Sequence, residues 1–260
     1  MTAEQPILQA SGLTKVFGGL VAVSDVSFTV SRNEIFGVIG PNGAGKSTLF
    51  NLLAATHLPT AGTITFQGRP THGMPTHKLA LQGMARTFQN LRHFGDQSVL
   101  DNVLIGSWRH TQGGLGAGLV SWRTSAREAR RREDAMQWLD FVGLAPLADH
   151  RSEDLSFGQQ RLLELARALA LEPTLVLLDE PASGLNDSET DRFGEMLRKL
   201  PARGITVLLV EHNMKLMMSV AERMIVLDLG RKVAEGTPRQ VQADPRVVEI
   251  YLGREEEETA

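Results

Sequence analysis

Two hydrophobic periods divide the chain into strand-like and helical segments. Strand-length apolar runs occur at 20–28, 34–39, 63–66, 175–178, 205–210 and 224–228. Apolar residues at helical spacing cover 46–55, 125–141, 161–171 and 188–200. Strands that alternate with helices predict a mostly parallel sheet with helices on both faces.

This alternation is interrupted between about residues 90 and 155, where strand-like runs fade and helical spacing dominates. We therefore interpret residues 1–89 and 156–237 as the two parts of one α/β core. Residues 90–155 form a helical subdomain inserted into that core, and residues 238–260 form a helical tail.

Composition and charge narrow the possible functions. The 260 residues are 42% hydrophobic, and 27 basic and 30 acidic residues give a net charge of -3, which favours no nucleic-acid partner. The absence of cysteine excludes disulfides, thiolate metal sites and cysteine catalysis. The apolar runs are much shorter than the roughly 20 residues of a membrane-spanning helix, so we expect any membrane role to require a partner.

A glycine-rich segment follows the strand at 34–39 and leads into a helix. Residues 40–48 fit the phosphate-binding pattern G-x-x-x-x-G-K-[ST], in the strand–loop–helix context that the pattern needs. Backbone N–H groups and the helix dipole would hold phosphates, with a lysine charge beside them and a serine hydroxyl to ligate Mg²⁺. A chance glycine-rich turn is the alternative, and the context argues against it. The predicted contacts are Gly40, Asn42, Gly43, Ala44, Gly45, Lys46, Ser47 and Thr48.

The apolar strand at 175–178 ends in two carboxylates, Asp179 and Glu180. Beside a phosphate loop, Asp179 is placed to hold Mg²⁺, directly or through water. Glu180 is placed to accept a proton from the attacking water or to orient it. Solvated acids at a strand end are the alternative, and the phosphate loop favours the catalytic interpretation.

The segment 155–160, Leu-Ser-Phe-Gly-Gln-Gln, precedes a strongly periodic helix. Ser156 and Gln159, three residues apart, have the spacing of a capping box. A hydroxyl and backbone N–H groups at a helix N-terminus can bind an anion, although an ordinary helix cap is the alternative.

In their order along the chain, these segments resemble the ABC ATPase family over nearly the whole length. Residues 40–48 resemble its Walker A loop and 175–180 its Walker B strand. Residues 155–160 resemble its LSGGQ signature, with Phe157 in place of the first glycine. The resemblance implies a P-loop NTPase (RecA-like) α/β core with a helical subdomain and an N-terminal antiparallel β portion.

Further residues take their interpretation from this resemblance alone. Gln89 stands at the position of the Q-loop, His212 at the switch histidine, and Phe17, upstream of the first strands, at the aromatic that stacks on adenine. Asn186 stands where many D-loops have aspartate, which weakens the prediction of the usual cross-subunit contact.

The resemblance assigns a role to each group. It implies that Glu180, His212 and Gln89 act in ATP hydrolysis, and that Ser47, Gln89 and Asp179 hold Mg²⁺. Phe17 would contact the base, and Ser156, Gly158 and Gln159 would contact ATP from the signature side.

Several segments are similar to the ATPase subunits of bacterial branched-chain amino acid importers. These are residues 86–92, 156–161, 180–186, 210–215 and 251–253. The glycine-bearing insertion at 113–118 resembles the larger of the two paired ATPases. This branch also carries urea, amides and aromatic acids, so the substrate stays open.

The implied assembly is a head-to-tail dimer with a sibling or identical ATPase subunit at the cytoplasmic face of the inner membrane. Two transmembrane permease subunits and, indirectly, a substrate-binding protein complete it, and no nucleic acid takes part. Apolar residues after Gln89 are either walls of a permease-docking groove or the core of the helical insertion, with neither favoured. These are Leu91, Phe94, Leu100 and Val103.

Three other functions fit parts of the pattern. ABC ATPases of DNA repair carry long coiled coils, but about 65 residues separate Gln89 from Leu155 here, without sustained heptads. Translation-associated ABC proteins carry two cassettes and basic surfaces, whereas this chain has one phosphate loop. A small-molecule P-loop kinase would need neither a signature segment nor a switch histidine.

Overall fold

A computed structural model describes residues 5–87, 94–107 and 121–258, without the side chains of 121–127 and 252–258. The strands are β1 Leu8–Phe17, β2 Leu20–Val30, β3 Ile35–Ile39, β4 Ala61–Phe66, β5 Arg69–Pro70, β6 Met84–Arg86, β7 Leu175–Asp179, β8 Thr206–Val210, β9 Arg223–Asp228 and β10 Arg231–Gly236. The helices are α1 Lys46–Leu53, α2 Thr76–Leu81, α3 Val99–Gly106, α4 Ser121–Phe141, α5 Phe157–Leu169, α6 Asp187–Lys199, α7 Met214–Val220, α8 Pro238–Gln242 and α9 Pro245–Glu258.

An antiparallel sheet with the order β2-β1-β4-β5 forms the N-terminal part of the chain. Strand β2 alternates in its second half, with Val26, Phe28 and Val30 buried and the residues between them exposed, as expected for a sheet with one covered face. The sequence prediction missed β1. Phe17 therefore does not lie upstream of the first strands, as we expected, but is the last residue of β1.

A second sheet has the order β10-β9-β3-β8-β7-β6 and is parallel except for the β9–β10 pair. Strands β3, β7 and β8 are buried along their whole length, because both faces of this sheet are covered. Ile35 and Ile39 of β3 face one core, while Phe36 and Val38 face the other. The predicted α/β core and the antiparallel N-terminal portion are confirmed.

The parallel pairing fixes the place of the candidate residues. Asp179 of β7 pairs with Val210 of β8, and Val38 of β3 also pairs with Val210. The carboxyl ends of these strands thus lie along one edge of the sheet, where ligands bind in open α/β folds.

Helices α3, α4 and α5, which lie between β6 and β7 in the chain, pack together. Leu100 and Val103 are fully buried in the core, which identifies them as core residues of this region. Phe94 is half exposed, under the guanidinium of Arg167, and Leu91 lies outside the described residues. None of the helices in the described parts of the chain combines the length and apolar character needed to cross a bilayer.

Candidate active site

A cleft of about 400 Å³ opens at the carboxyl edge of the parallel sheet, over the start of α1. Most of the predicted phosphate-binding residues line it, together with Glu180, which directly follows β7. Its lining is Leu20, Val21, Ala22, Asn42, Gly43, Ala44, Gly45, Lys46, Ser47, Thr48, Glu180, Leu229 and Gly230.

The backbone of the loop explains two of its glycines. Gly40 and Gly45 both have a positive φ, and a Cβ at either position would collide with a backbone oxygen, that of Leu227 or of Ala22. Gly43 also has a positive φ but faces open space. The approach of phosphate is therefore a reason for glycine only at Gly43, while the other two glycines are required because the loop packs closely against the backbone of β9 and β2.

Lys46 begins helix α1 and is buried beside the loop. Its ammonium donates hydrogen bonds to the carbonyl oxygens of Gly40 at 2.7 Å and Pro41 at 2.9 Å. Helix α1 begins after Gly45, which has no side chain to cap it, so the N–H groups of the first turn are directed to whatever enters the cleft. A phosphate group fits both the positive charge and these donors.

Asp179 has the properties of a metal ligand. It is 5% exposed, and its Oδ1 finds no hydrogen-bond partner among the described residues. Burial raises the pKa of Asp179; the charges of Arg86 and Lys46 oppose that rise, and Glu180 adds to it. A buried carboxylate oxygen without a donor, close enough to Lys46 of the phosphate loop for their charges to interact, fits an Mg²⁺ ion.

Glu180 and His212 approach each other at the carboxyl edge of the sheet. Glu180 turns the chain sharply after β7 with φ 47°, a left-handed conformation that costs a non-glycine residue about 1–2 kcal/mol. Its backbone N–H donates to Val210 at 2.9 Å, which anchors the turn on β8. The His212 Nδ1 lies 3.8 Å from Glu180 Oε2, so the two predicted catalytic side chains are neighbours.

Sequence reasoning gave no role to Glu211, which the structure places at the centre of this edge. Its carboxylate is fully buried and accepts backbone N–H bonds from Ala182 at 2.8 Å and from His212 and Asn213 at 3.2 Å. Burial raises the pKa of Glu211, and these three donors oppose the rise. An acid directly after an apolar strand was the available signal, the same one that identified Asp179.

The apolar side of the cleft was also missed. Leu20, Val21 and Leu229 line it with exposed side chains. Phe17 does not line the cleft: its ring meets His57 edge-on at 5.7 Å, under the ammonium of Lys15. Stacking of Phe17 on adenine remains a prediction, and nothing local in the sequence places Leu229 beside the phosphate loop.

The signature segment forms the predicted capping box. Ser156 Oγ accepts from the N–H of Gln159, and the Gln159 side chain accepts from the N–H of Ser156. Ser156, Gly158 and Gln159 line a separate cavity of about 480 Å³ between α4, α5 and α6. None of the three is among the described residues lining the phosphate cleft.

Two further residues singled out in the sequence are Gln89 and Asn186. Gln89 lies outside the described residues. Asn186 caps helix α6: its side chain accepts from the N–H of Glu189, whose carboxylate accepts in return from the N–H of Asn186, both at 3.0 Å. Its side-chain oxygen is thus engaged within the chain.

Known proteins match the chain along its length. The sequence profile of the ABC transporter family matches residues 23–183, and that of the branched-chain amino acid ATP-binding cassette transporter matches residues 231–257. The high-affinity branched-chain amino acid transport ATP-binding protein BraF of Pseudomonas aeruginosa is 44% identical over 253 residues, or 96% of this chain and 98% of that protein.

Solved structures agree in fold. A nucleotide-free ATP-binding cassette from an ABC transporter has a TM-score of 0.83 at 31% identity, covering 95% of this chain and 99% of that one. A dimeric bacterial ABC transporter cassette has a TM-score of 0.76 at 26% identity, covering 89% and 99%.

Proposed function

The chain belongs to the ABC transporter family of ATP-binding proteins, and from this membership we propose that it energises an importer of branched-chain amino acids or related small amides and acids. It is an ATPase whose ATP hydrolysis drives transport. The observation that carries the proposal is the meeting of the phosphate loop, Asp179, Glu180 and His212 at one edge of the sheet.

In the proposed mechanism, the triphosphate enters over the first turn of α1. The ammonium of Lys46 exchanges its bonds to the Gly40 and Pro41 carbonyls for bonds to phosphate oxygens. When bound, Mg²⁺ neutralises charge on the β- and γ-phosphates. Ser47 and Asp179 would hold it, together with Gln89.

Glu180 is the proposed base. Its carboxylate lines the cleft and can accept a proton from the attacking water, or orient that water. We propose that the neighbouring His212 fixes the Glu180 carboxylate and contacts the terminal phosphate. Glu211 holds the backbone of both segments through its three accepted hydrogen bonds.

The signature belongs to a second site. Ser156 is exposed and lines a cavity separate from the phosphate cleft, so it is available to a second cassette. We propose a head-to-tail dimer in which each ATP contacts the phosphate loop of one subunit and the Ser156 region of the other. The dimeric state of a solved cassette with the same fold supports the formation of a dimer.

The finer assignments rest on the sequence resemblance described above. We propose that the chain is the larger of two paired ATPases, lies at the cytoplasmic face of the inner membrane, and contacts two permeases through the helical subdomain at 90–155. A substrate-binding protein would act indirectly, and Phe17 would contact the base.

A concentration series tests the composite site. Isolated chain should bind ATP but hydrolyse it slowly, with a rate that rises more than linearly with protein concentration. Ser156→Arg should abolish that rise and leave ATP affinity nearly intact, whereas the exposed control Ser31→Arg should behave as wild type. Full-rate activity that is strictly linear in dilute chain would contradict the proposal.

Recovery of partners from detergent-solubilised membranes tests the importer assignment. Tagged chain should bring down two permeases and a second ATPase. Recovery of ribosomes or DNA instead would contradict transport and favour a non-transport ABC ATPase.

A further inference from the structure

Phe157 is the residue at which the signature segment departs from the family pattern. It opens helix α5 directly after Ser156, and its side chain is 46% exposed. The guanidinium of Arg161, one turn further along, lies 5.1 Å from the ring centroid. Arg161 is held in turn by Glu164 at 3.5 Å, and both of these side chains are 7% exposed. The ring is therefore anchored on a buried ion pair.

The ring also contacts Gly184, which lies 27 residues further along the chain. A Cβ at Gly184 would stand 2.6 Å from Phe157 Cε1 and 3.2 Å from two further ring carbons. The φ of Gly184 is 82°, so the backbone presents its bare Cα to the ring. Glycine at this position thus lets the loop lie directly against Phe157.

A second close approach runs parallel to the first. A Cβ at Gly158 would lie 2.8 Å from Glu189 Oε1 and 3.4 Å from Leu185 Cδ2. Glu189 is fixed by its reciprocal bonds with Asn186. The first turn of α5 and the first turn of α6 are therefore packed side by side, with a glycine at each contact.

The loop 181–186, between β7 and α6, is joined at its other end to the catalytic edge. Ser183 N–H donates to the Glu180 carbonyl at 3.1 Å, and Ala182 N–H donates to Glu211 Oε1 at 2.8 Å. One short loop thus touches the Phe157 ring and is bonded directly to the residue proposed as the base.

We propose that Phe157 is a positioning residue that fixes Ser156 relative to the loop 181–186 of the same chain. The inference rests on the proposed function, in which Ser156 completes the partner's site while Glu180 serves this chain's own site. The contact between Phe157 and Gly184 then links the two sites through one chain. Removal of the ring should leave the phosphate cleft intact. It should remove the contact that fixes the position of Ser156 relative to the loop 181–186.

The assembled transporter carrying Phe157→Ala should show kcat for ATP reduced about tenfold, because small misplacements of a group that completes a site have large effects on turnover. KM for ATP should stay within about twofold, since Phe157 does not line the phosphate cleft. Phe157→Tyr keeps the ring and should restore kcat. A thermal melt checks folding, and Phe157→Leu, which keeps apolar bulk without a planar ring, replaces the alanine variant if that one does not fold.

A double-mutant cycle tests the contact itself. Gly184→Ala forces its Cβ into the ring, and the same substitution in the Phe157→Ala background does not. The strain of a positive φ is present in both backgrounds and cancels. The loss of kcat caused by Gly184→Ala should therefore be smaller in the Phe157→Ala background.

The outcomes separate this inference from the proposed function. Wild-type kcat in Phe157→Ala, a changed KM with unchanged kcat, or strict additivity in the cycle would overturn the role of Phe157. If Ser156→Arg abolishes hydrolysis in the same assay, the composite site stands while the inference about Phe157 fails. If Ser156→Arg keeps full activity, the composite site itself fails.

Discussion

The phosphate cleft and the signature segment both lie at helix N-termini, yet their side chains differ in how far they are buried. Lys46 in the cleft and Asp179 at the adjoining end of β7 are 6% and 5% exposed, and the phosphate loop packs tightly against the backbone of β2 and β9. At the signature, Ser156 is exposed and Phe157 is 46% exposed. The cleft is therefore a preformed ligand pocket, whereas the signature segment is an exposed surface that can contact a second subunit.

The two regions also differ in whether their polar groups find hydrogen-bond partners within the chain. The signature satisfies its cap within the chain, through the reciprocal bonds of Ser156 and Gln159. Beside the cleft, a buried Asp179 oxygen has no hydrogen-bond donor among the described residues. Unsatisfied buried groups are costly, so the cleft is arranged for a bound ion at some expense of stability. The exposed signature segment, whose cap is satisfied, has no such cost in stability.

The sharpest test of the cleft is Glu180→Gln, which keeps the shape of the side chain but cannot accept a proton. Hydrolysis by the assembled protein should fall on the order of 10²-fold or more, while ATP binding survives. Steady-state phosphate release and calorimetry measure the two quantities. The exposed control Glu222→Gln should keep wild-type turnover, and near-normal turnover in Glu180→Gln would exclude it as the base.

Lys46→Ala should show that the phosphate cleft, and not the signature segment, provides the ATP affinity of the isolated chain. Charge-assisted contacts contribute roughly 1.5–3 kcal/mol each, so ATP affinity of the isolated chain should drop at least about tenfold. Calorimetric titration checks this, with Lys78→Ala, on the exposed side of α2, as control. Unchanged affinity in Lys46→Ala would mean that the loop does not hold the phosphates.

Asn186→Ala probes the signature side, where α6 packs against α5. Loss of the cap should lower the free energy of unfolding by about 1 kcal/mol, measured in urea. Asn186→Asp keeps an acceptor and should retain stability. ATP affinity should be unaffected in both variants, and a loss of affinity would show that the two regions are not separable in the monomer.

The smallest expected effect is a gain of stability in Asp179→Asn. Burial raises the pKa of Asp179, so its ionised form disfavours the folded state, and stability is lost as pH rises through the folded pKa. The asparagine variant lacks this loss. It should match wild type below the ordinary pKa of an aspartate and be more stable than wild type at pH 7, which would show as a higher melting temperature at that pH. A variant less stable at pH 7 would show that the carboxylate stabilises the nucleotide-free cleft.

Prediction from sequence succeeded where the hydrophobic pattern was unambiguous. The runs at 34–39 and 175–178 are β3 and β7, because strands buried on both faces are continuous apolar segments. Strand β1 was missed because polar residues and three register shifts in its pairing with β2 break its alternation. The helix predicted at 161–171 starts at Phe157, where the capping box at Ser156 sets its first turn.

The sequence by itself determined the phosphate loop, the acidic end of β7 and the cap of α5, because each depends on residues adjacent in the chain. Only the tertiary structure decided that Glu211 holds Ala182, that Phe157 rests on Gly184, and that Leu229 lines the cleft. These contacts join segments far apart in sequence. They depend on the strand order and on how closely glycines let backbones approach, and no local spacing encodes either.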